Sequence, residues 1–353
     1  MRFDGPFSLV LGGGGLKGMA HIGVFQALEE LDMRPELVVG CSMGSLIAAA
    51  WCAGMSAREM REIALGVRRK DVFRIAHMDM ALKRMMSPAV YRHEPLDELI
   101  LRLVGDIRFT DLKHRLVVAT VDLNTGGQVL WGQPGLDHVR VADAVFASCA
   151  LPGLFPPREI DGRVCVDGAV IENLPVRVAG ALVPGPVIAV HVGPTTTLRS
   201  GAEYEGFAAT YARGLELVMH AMLRERLHHW RTPPLVFVHP RVEHISMFSF
   251  SHTLELINEG YRSAIDTFEE LPSQFPAGAE GTFPGKQVEV SVDPKRCVGC
   301  GACVMWAPEV FRMTAEGKAE VIAPLRRWSP IDGQYVRHCP TWAISARVPD
   351  PRR

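Results

Sequence analysis

Ser42 stands at the centre of Gly40-Cys41-Ser42-Met43-Gly44, between the apolar run Leu37-Val38-Val39 and the helix-like run Ser45-Leu46-Ile47-Ala48-Ala49-Ala50. G-x-S-x-G on a strand-to-helix turn presents a serine hydroxyl outward, at the positive end of a helix. Upstream lies a glycine loop, Gly12-Gly13-Gly14-Gly15-Leu16-Lys17-Gly18. Free backbone N–H groups of such a loop would stabilise the oxyanion that the serine creates. Nucleophile and oxyanion donors together point to acyl transfer.

The same loop fits G-x-G-x-x-G through Gly13, Gly15 and Gly18. Dinucleotide binding would need an acidic residue at the end of the next strand, ~20 residues on, to hold the ribose. That position carries Gly40-Cys41-Ser42 instead, so no nucleotide cofactor is expected. A base for the serine is offered by Asp167, which follows an apolar strand and precedes Gly168-Ala169. An Asp-Gly pair also suits a bare turn. His191, after Asp167 in the chain, keeps open a Ser-Asp-His triad.

These motifs carry a resemblance. The glycine loop, the G-x-S-x-G elbow and Asp167-Gly168-Ala169, in that order, resemble a patatin-like phospholipase of the bacterial type. The similarity extends through Met19-Ala20-His21-Ile22-Gly23-Val24 and Glu172-Asn173-Leu174-Pro175-Val176. It implies a three-layer αβα fold with a mainly parallel sheet, a Ser42–Asp167 dyad and an oxyanion hole at Gly13–Gly15. It further implies a lipid or other carboxylic ester as substrate. Lys17 replaces the family's usual arginine, which keeps the charge and loses the planar fork. An aspartate with its ordinary pKa near 4 is a weak base, so its effect is expected to come from position.

The cysteines fall into two groups. Cys41, Cys52, Cys149 and Cys165 sit in apolar surroundings and are expected to be small buried hydrophobes. Cys297-x-x-Cys300-x-x-Cys303 is too tightly spaced for two separated zinc-binding pairs. It has the spacing of an iron–sulfur loop, with Cys339-Pro340 supplying the distant fourth thiolate. The region resembles a bacterial-type ferredoxin, which implies a small α+β domain and an electron-transfer role with an unidentified redox partner. Ala307-Pro308 stands where a two-cluster ferredoxin has a further Cys-Pro, so one cluster remains. Cys300 makes it a [4Fe–4S] rather than a three-iron form, and Trp342 would shield the cluster from water.

Several elements must position these groups. Strand-like runs at Phe7–Leu11, Leu37–Val39, Leu116–Val121, Val164–Val166, Val187–Val192 and Leu235–Val238 alternate with helical patterns. The helical patterns cover Leu16–Leu31, Ser45–Ala53, Pro95–Val104, Val139–Phe146, Phe207–Trp230 and Thr253–Glu270. Such alternation predicts an α/β domain with a largely parallel, doubly covered sheet. The expected organisation is a hydrolase domain at 1–270, a Pro/Gly-rich linker at 271–286 and a ferredoxin domain at 287–353.

With 38 Lys/Arg against 39 Asp/Glu over 353 residues, the net charge of −1 argues against a nucleic-acid partner. No apolar run approaches the ~18 residues of a membrane span, and no secretory signal is visible, so a cytoplasmic protein is expected. Residues 287–353 hold ten Arg/Lys and seven Asp/Glu, a local charge of +3. A Met-rich basic segment between Gly66 and Arg92 includes Arg68, Arg69, Lys70, Met78, Met80, Lys83, Arg84, Met85 and Met86. It reads either as a flap making peripheral contact with anionic lipid or as an amphipathic surface helix. A different class of function also fits the fusion: a redox-sensing or electron-transfer protein whose hydrolase-like half binds a lipid or partner.

Overall fold

The computed structural model describes residues 5–74, 89–193, 207–272, 274–276, 278–329 and 332–349. The chain divides into two compact units, Met1–Arg226 with Arg231–Gly281 and Leu227–Trp230 with Thr282–Arg353.

The first unit is built on β1 (Ser8–Leu11), β2 (Leu37–Cys41), β3 (Leu116–Asp122), β4 (Gln128–Trp131), β5 (Arg158–Ile160), β6 (Arg163–Asp167), β7 (Val187–Val190) and β8 (Leu235–Val238). Their order is β5-β6-β3-β2-β1-β7-β8, with β4 beside β3. The pairs β3–β2, β2–β1, β1–β7 and β7–β8 are parallel. Strands β1, β2, β3, β7 and β8 are buried at every position, as a sheet covered on both faces requires. The fold is thus the expected α/β class, with helices packed on a mainly parallel sheet.

The antiparallel strands decide where the chemistry sits. β2 follows β3 as far as the Cys41–Ala119 pair, and β6 starts at the next position, Asp167 opposite Thr120. β4 pairs with residues 118–121 of β3 and so overlaps both registers. A strand has only two edges, so β4 takes one and β2 and β6 share the other, end to end. The end of β2, where the serine turn begins, therefore meets the end of β6.

Two helices frame that turn, α1 (Ala20–Glu30) and α2 (Met43–Cys52). The Leu16–Leu31 pattern opens as a tight 3₁₀ turn, Gly15–Met19, before α1 begins. A further helix, Ala57–Gly66, starts at a capping box in which Ser56 and Glu59 satisfy each other's backbone N–H groups.

The second unit contains an antiparallel three-stranded sheet, with Lys286–Val292 between Leu325–Trp328 and Ile344–Arg347. A hairpin of Phe311–Met313 with Ala319–Val321 and short helices Ala302–Trp306 and Gln334–His338 complete it. Val288, Val290, Val310, Phe311, Tyr335 and Ile344 form its core together with Cys297 and Cys303. This is the small α+β domain expected from the sequence. Among the described residues no helix is long and apolar enough to cross a membrane.

Candidate active site and cluster cradle

Ser42 links β2 to α2 with φ 53° and ψ −132°, a left-handed conformation that costs a non-glycine residue about 1–3 kcal/mol. The turn is enforced from both sides. A Cβ on Gly40 would lie 2.4 Å from Ser45 Cα, and one on Gly44 would lie 2.2 Å from the Leu11 carbonyl oxygen. Hydrogen bonds fix the rest. The Ser42 N–H donates to Ser148 Oγ at 2.8 Å, and Ser148 Oγ donates to the Ala119 carbonyl at 2.8 Å. Ser45 Oγ donates to the Ser42 carbonyl at 2.7 Å.

Ser148, wholly buried, thus ties the elbow to β3. Ser148→Ala would leave the Ser42 N–H without its partner, and we expect a loss of about 1–3 kcal/mol in stability. A denaturant titration compared with wild type measures it.

Asp167 ends β6 and is 2% exposed. Its carboxylate accepts hydrogen bonds from the Ala169 N–H at 2.9 Å and the Cys41 thiol at 3.7 Å, and the Ser42 side chain lies near enough to lower its pKa as well. Burial raises its pKa to about 6, and the three groups offset part of that rise. The carboxylate's pKa therefore lies closer to neutral pH than the ordinary value expected from sequence. Among the described residues no histidine is a partner of it. His191 instead stacks on His239 and packs tilted against Phe237, with ring centroids at 5.6 and 5.8 Å.

The glycine loop closes on the serine. A Cβ on Gly13 would sit 2.7 Å from Ser42 Cβ and 2.6 Å from Asn173 Oδ1, so only glycine fits. Asn173 holds the loop from below: its carbonyl accepts the Gly13 N–H at 3.3 Å, and its Nδ2 donates to the Gly13 carbonyl at 3.1 Å. His21 Nε2 lies 2.8 Å from the Gly12 carbonyl, and burial drives the ring's pKa down to about 4, so it donates as a neutral imidazole. The Leu16 N–H donates to the Met247 carbonyl at 2.9 Å. The N–H groups of Gly14 and Gly15 donate to no loop or strand carbonyl among the described residues.

Ser42, Asp167 and Gly13–Gly15 all border one apolar cavity of about 320 Å³. Its walls include Val72, Phe73, Leu154, Phe155, Met219 and Phe248. Phe73 packs against Tyr91, Phe155, Phe248 and Phe250, with centroids 4.8–5.9 Å away. In the basic segment, Arg68, Arg69 and Lys70 are exposed, whereas Met78, Met80, Lys83, Arg84, Met85 and Met86 lie outside the described residues.

Sequence reasoning missed Ser148, Asn173 and His21 as supports of the site. Asn173 and His21 lay within the stretches that carry the resemblance, but nothing in their local pattern marks the carbonyls they reach.

In the second unit Cys297, Cys300, Cys303 and Cys339 line one small cavity with Ala302, Ala319 and Thr341. Gly299 and Gly301 flank Cys300 with φ 70° and 74°, and a Cβ on Gly299 would meet the Gly317 carbonyl oxygen at 2.1 Å. Backbone donors point at the sulfurs: Ala319 N–H to Cys297 Sγ at 3.4 Å and Ala343 N–H to Cys339 Sγ at 3.2 Å. Burial opposes ionisation of Cys339, yet N–H groups of Thr341, Ala343 and Ile344 with the Thr341 hydroxyl hold its thiol below the usual range. Burial and the neighbouring Cys297 and Cys300 raise Cys303. Among the described residues no three His, Cys, Asp or Glu side chains converge on one point as ligands of a single ion do. Four thiols facing a common cavity, with N–H groups aimed at sulfur, suit a cluster that spreads its ligands over separate irons. Trp342 is 53% exposed and does not border the cavity, so the shielding expected of it is not seen.

Residues 9–179 match the patatin-like phospholipase family, and residues 290–346 match the 4Fe-4S single cluster domain. The chain therefore carries an N-terminal patatin-like phospholipase domain and a C-terminal 4Fe-4S single-cluster domain. It is similar to an NTE family protein of Mycobacterium bovis, 30% identical over 168 residues, which span 48% of this chain and 44% of the relative. It is also similar to lysophospholipase NTE1 of Candida glabrata, 27% identical over 276 residues, 71% of this chain and 15% of the relative. The chain thus spans less than half the length of these curated relatives. Among solved structures, VipD from Legionella pneumophila shows 13% identity and a TM-score of 0.42 over 74% of this chain and 66% of that one.

Proposed function

We propose that residues 1–270 form a serine acyl hydrolase acting on lipid or other carboxylic esters through a Ser42–Asp167 dyad. The observation that carries the reading is that both side chains border one apolar cavity, with Ser42 near enough to the Asp167 carboxylate to help hold its pKa down. Ser42 Oγ attacks the ester carbonyl while its proton passes to Asp167. The tetrahedral oxyanion is received by the glycine loop. Gly14 and Gly15 supply the N–H donors. Gly13, whose N–H is engaged by Asn173, supplies the space beside Ser42. Collapse expels the alcohol, which takes the proton from Asp167, and leaves an acyl-enzyme. Water then attacks that ester, Asp167 again takes the proton, and the carboxylic acid leaves as Ser42 recovers its hydrogen.

The apolar cavity accounts for the acyl chain. Peripheral contact with an anionic lipid surface fits the exposed Arg68, Arg69 and Lys70. The test is hydrolysis of p-nitrophenyl butyrate and of a lysophospholipid by anaerobically purified protein. Wild type is expected to release product from both, and Ser42→Ala from neither; equal rates for the two proteins would refute the assignment.

Residues 287–353, joined by a linker at 271–286, hold one [4Fe–4S] cluster on Cys297, Cys300, Cys303 and Cys339 in the same proposal. When bound, that group supplies one-electron transfer. Cys300 is exposed, as are Val298, Met305 and Trp306 around it, which leaves this face open to a redox partner.

A further inference from the structure

Cys41 immediately precedes the serine, is wholly buried and faces Asp167. Its thiol donates to Asp167 Oδ1 at 3.7 Å, the same oxygen that accepts the Ala169 N–H at 2.9 Å. Both donors load Oδ1, and neither lands on Oδ2. The shared edge of β3 explains the contact, because Cys41 and Asp167 sit opposite the consecutive residues Ala119 and Thr120. Burial first, and then the charge of Asp167, push the Cys41 thiol well above its ordinary value, so it remains S–H and a permanent donor. The other groups acting here are Ser42 on the carboxylate, Cys149 from helix Val141–Cys149 and Glu172 on Cys41, while Asp167 in turn raises Cys149. Cys149 is likewise held in the thiol form by burial.

We propose that Cys41 is a positioning residue for the reaction: its S–H anchors Asp167 by Oδ1, keeps Oδ2 for the Ser42 proton, and sets the basicity of the carboxylate. A thiol is a weak donor. It orients the carboxylate while drawing away little of the electron density that makes it a base. A hydroxyl at the same place would bond more strongly and lower the carboxylate's pKa; a methyl group would raise it. The proposal rests on Asp167 being the base.

The test is the pH dependence of kcat/KM for p-nitrophenyl butyrate with wild type, Cys41→Ser and Cys41→Ala. The midpoint of the acid limb should rise in the order Ser, Cys, Ala, with about half a pH unit between neighbours. That spacing equals about a threefold difference in rate on the limb. A role confined to packing would lower the plateau and leave the midpoint in place. Coincident midpoints in all three proteins would overturn the proposal, and Cys41→Ser keeps the comparison open should Cys41→Ala fold poorly. Asp167→Asn separates the two levels: if it is inactive while the midpoints coincide, only the role of Cys41 falls. If it is as active as wild type, the base assignment beneath it falls as well.

Discussion

Asp167→Asn is expected to lower kcat/KM by about 10²- to 10⁴-fold, the usual range for a general base, and at the same time to raise the melting temperature of the hydrolase unit. Both effects come from one buried charge. Burial lifts the folded pKa from 3.8 to about 6, so at neutral pH the fold carries a carboxylate that it would hold more comfortably protonated. A raised folded pKa on an acid means that stability is fully present below 3.8 and is lost as pH rises through about 6. The gap corresponds to at most about 3 kcal/mol at pH 7. Asparagine removes the charge and still offers an acceptor to the Ala169 N–H. Thermal melts of both proteins between pH 4 and pH 7 check this: the variant's advantage should be greatest at neutral pH and vanish towards pH 4. Such an exchange of stability for activity is common at active sites.

Loss of the cluster should have the second large effect, confined to residues 282–353. Cys297 and Cys303 belong to the core of this small unit, alongside few large side chains. A unit of this size gains much of its stability from a metal staple. Without it, four thiols crowd one cavity, and burial, with Cys297 and Cys300 alongside, raises the Cys303 thiol. Cys303→Ser, or oxidative removal of iron, should abolish the iron–sulfur absorbance and expose the amides of Val288, Val290 and Phe311 to rapid hydrogen exchange. Exchange in β1, β2 and β3 should stay as slow as in the intact protein. Unchanged protection of Val288, Val290 and Phe311 after iron loss would show that the domain needs no staple.

The parallel part of the fold was legible because its strands are short runs of Val and Leu between helical patterns. β1, β2, β3, β7 and β8 fall where those runs stand. The antiparallel edge was legible only in part. β6 shows as an apolar run, but β4 and β5 carry Gln128, Arg158 and Glu159, and their pairing depends on non-local register. Helix Ala57–Gly66 had a usable signal in Ser56-x-x-Glu59, and tertiary burial of Ala57, Met60 and Ala64 completes it. At the site, the serine elbow and the glycine loop are readable because their backbone conformation demands glycine at fixed positions. The raised pKa of Asp167 is not readable, since it is set by burial. Nor is the contact of Cys41 with Asp167, which depends on β2 and β6 meeting end to end on β3.

The most direct test of the account is the rate of fluorophosphonate labelling as a function of pH, for anaerobically purified wild type, Ser42→Ala and Asp167→Asn. Wild type should label on one serine, with a rate that falls below pH about 6 as Asp167 is protonated. Ser42→Ala should not label, and Asp167→Asn should label slowly with no acid limb. Wild-type labelling that persists unchanged in Asp167→Asn would contradict the dyad, and labelling that survives in Ser42→Ala would contradict the nucleophile itself.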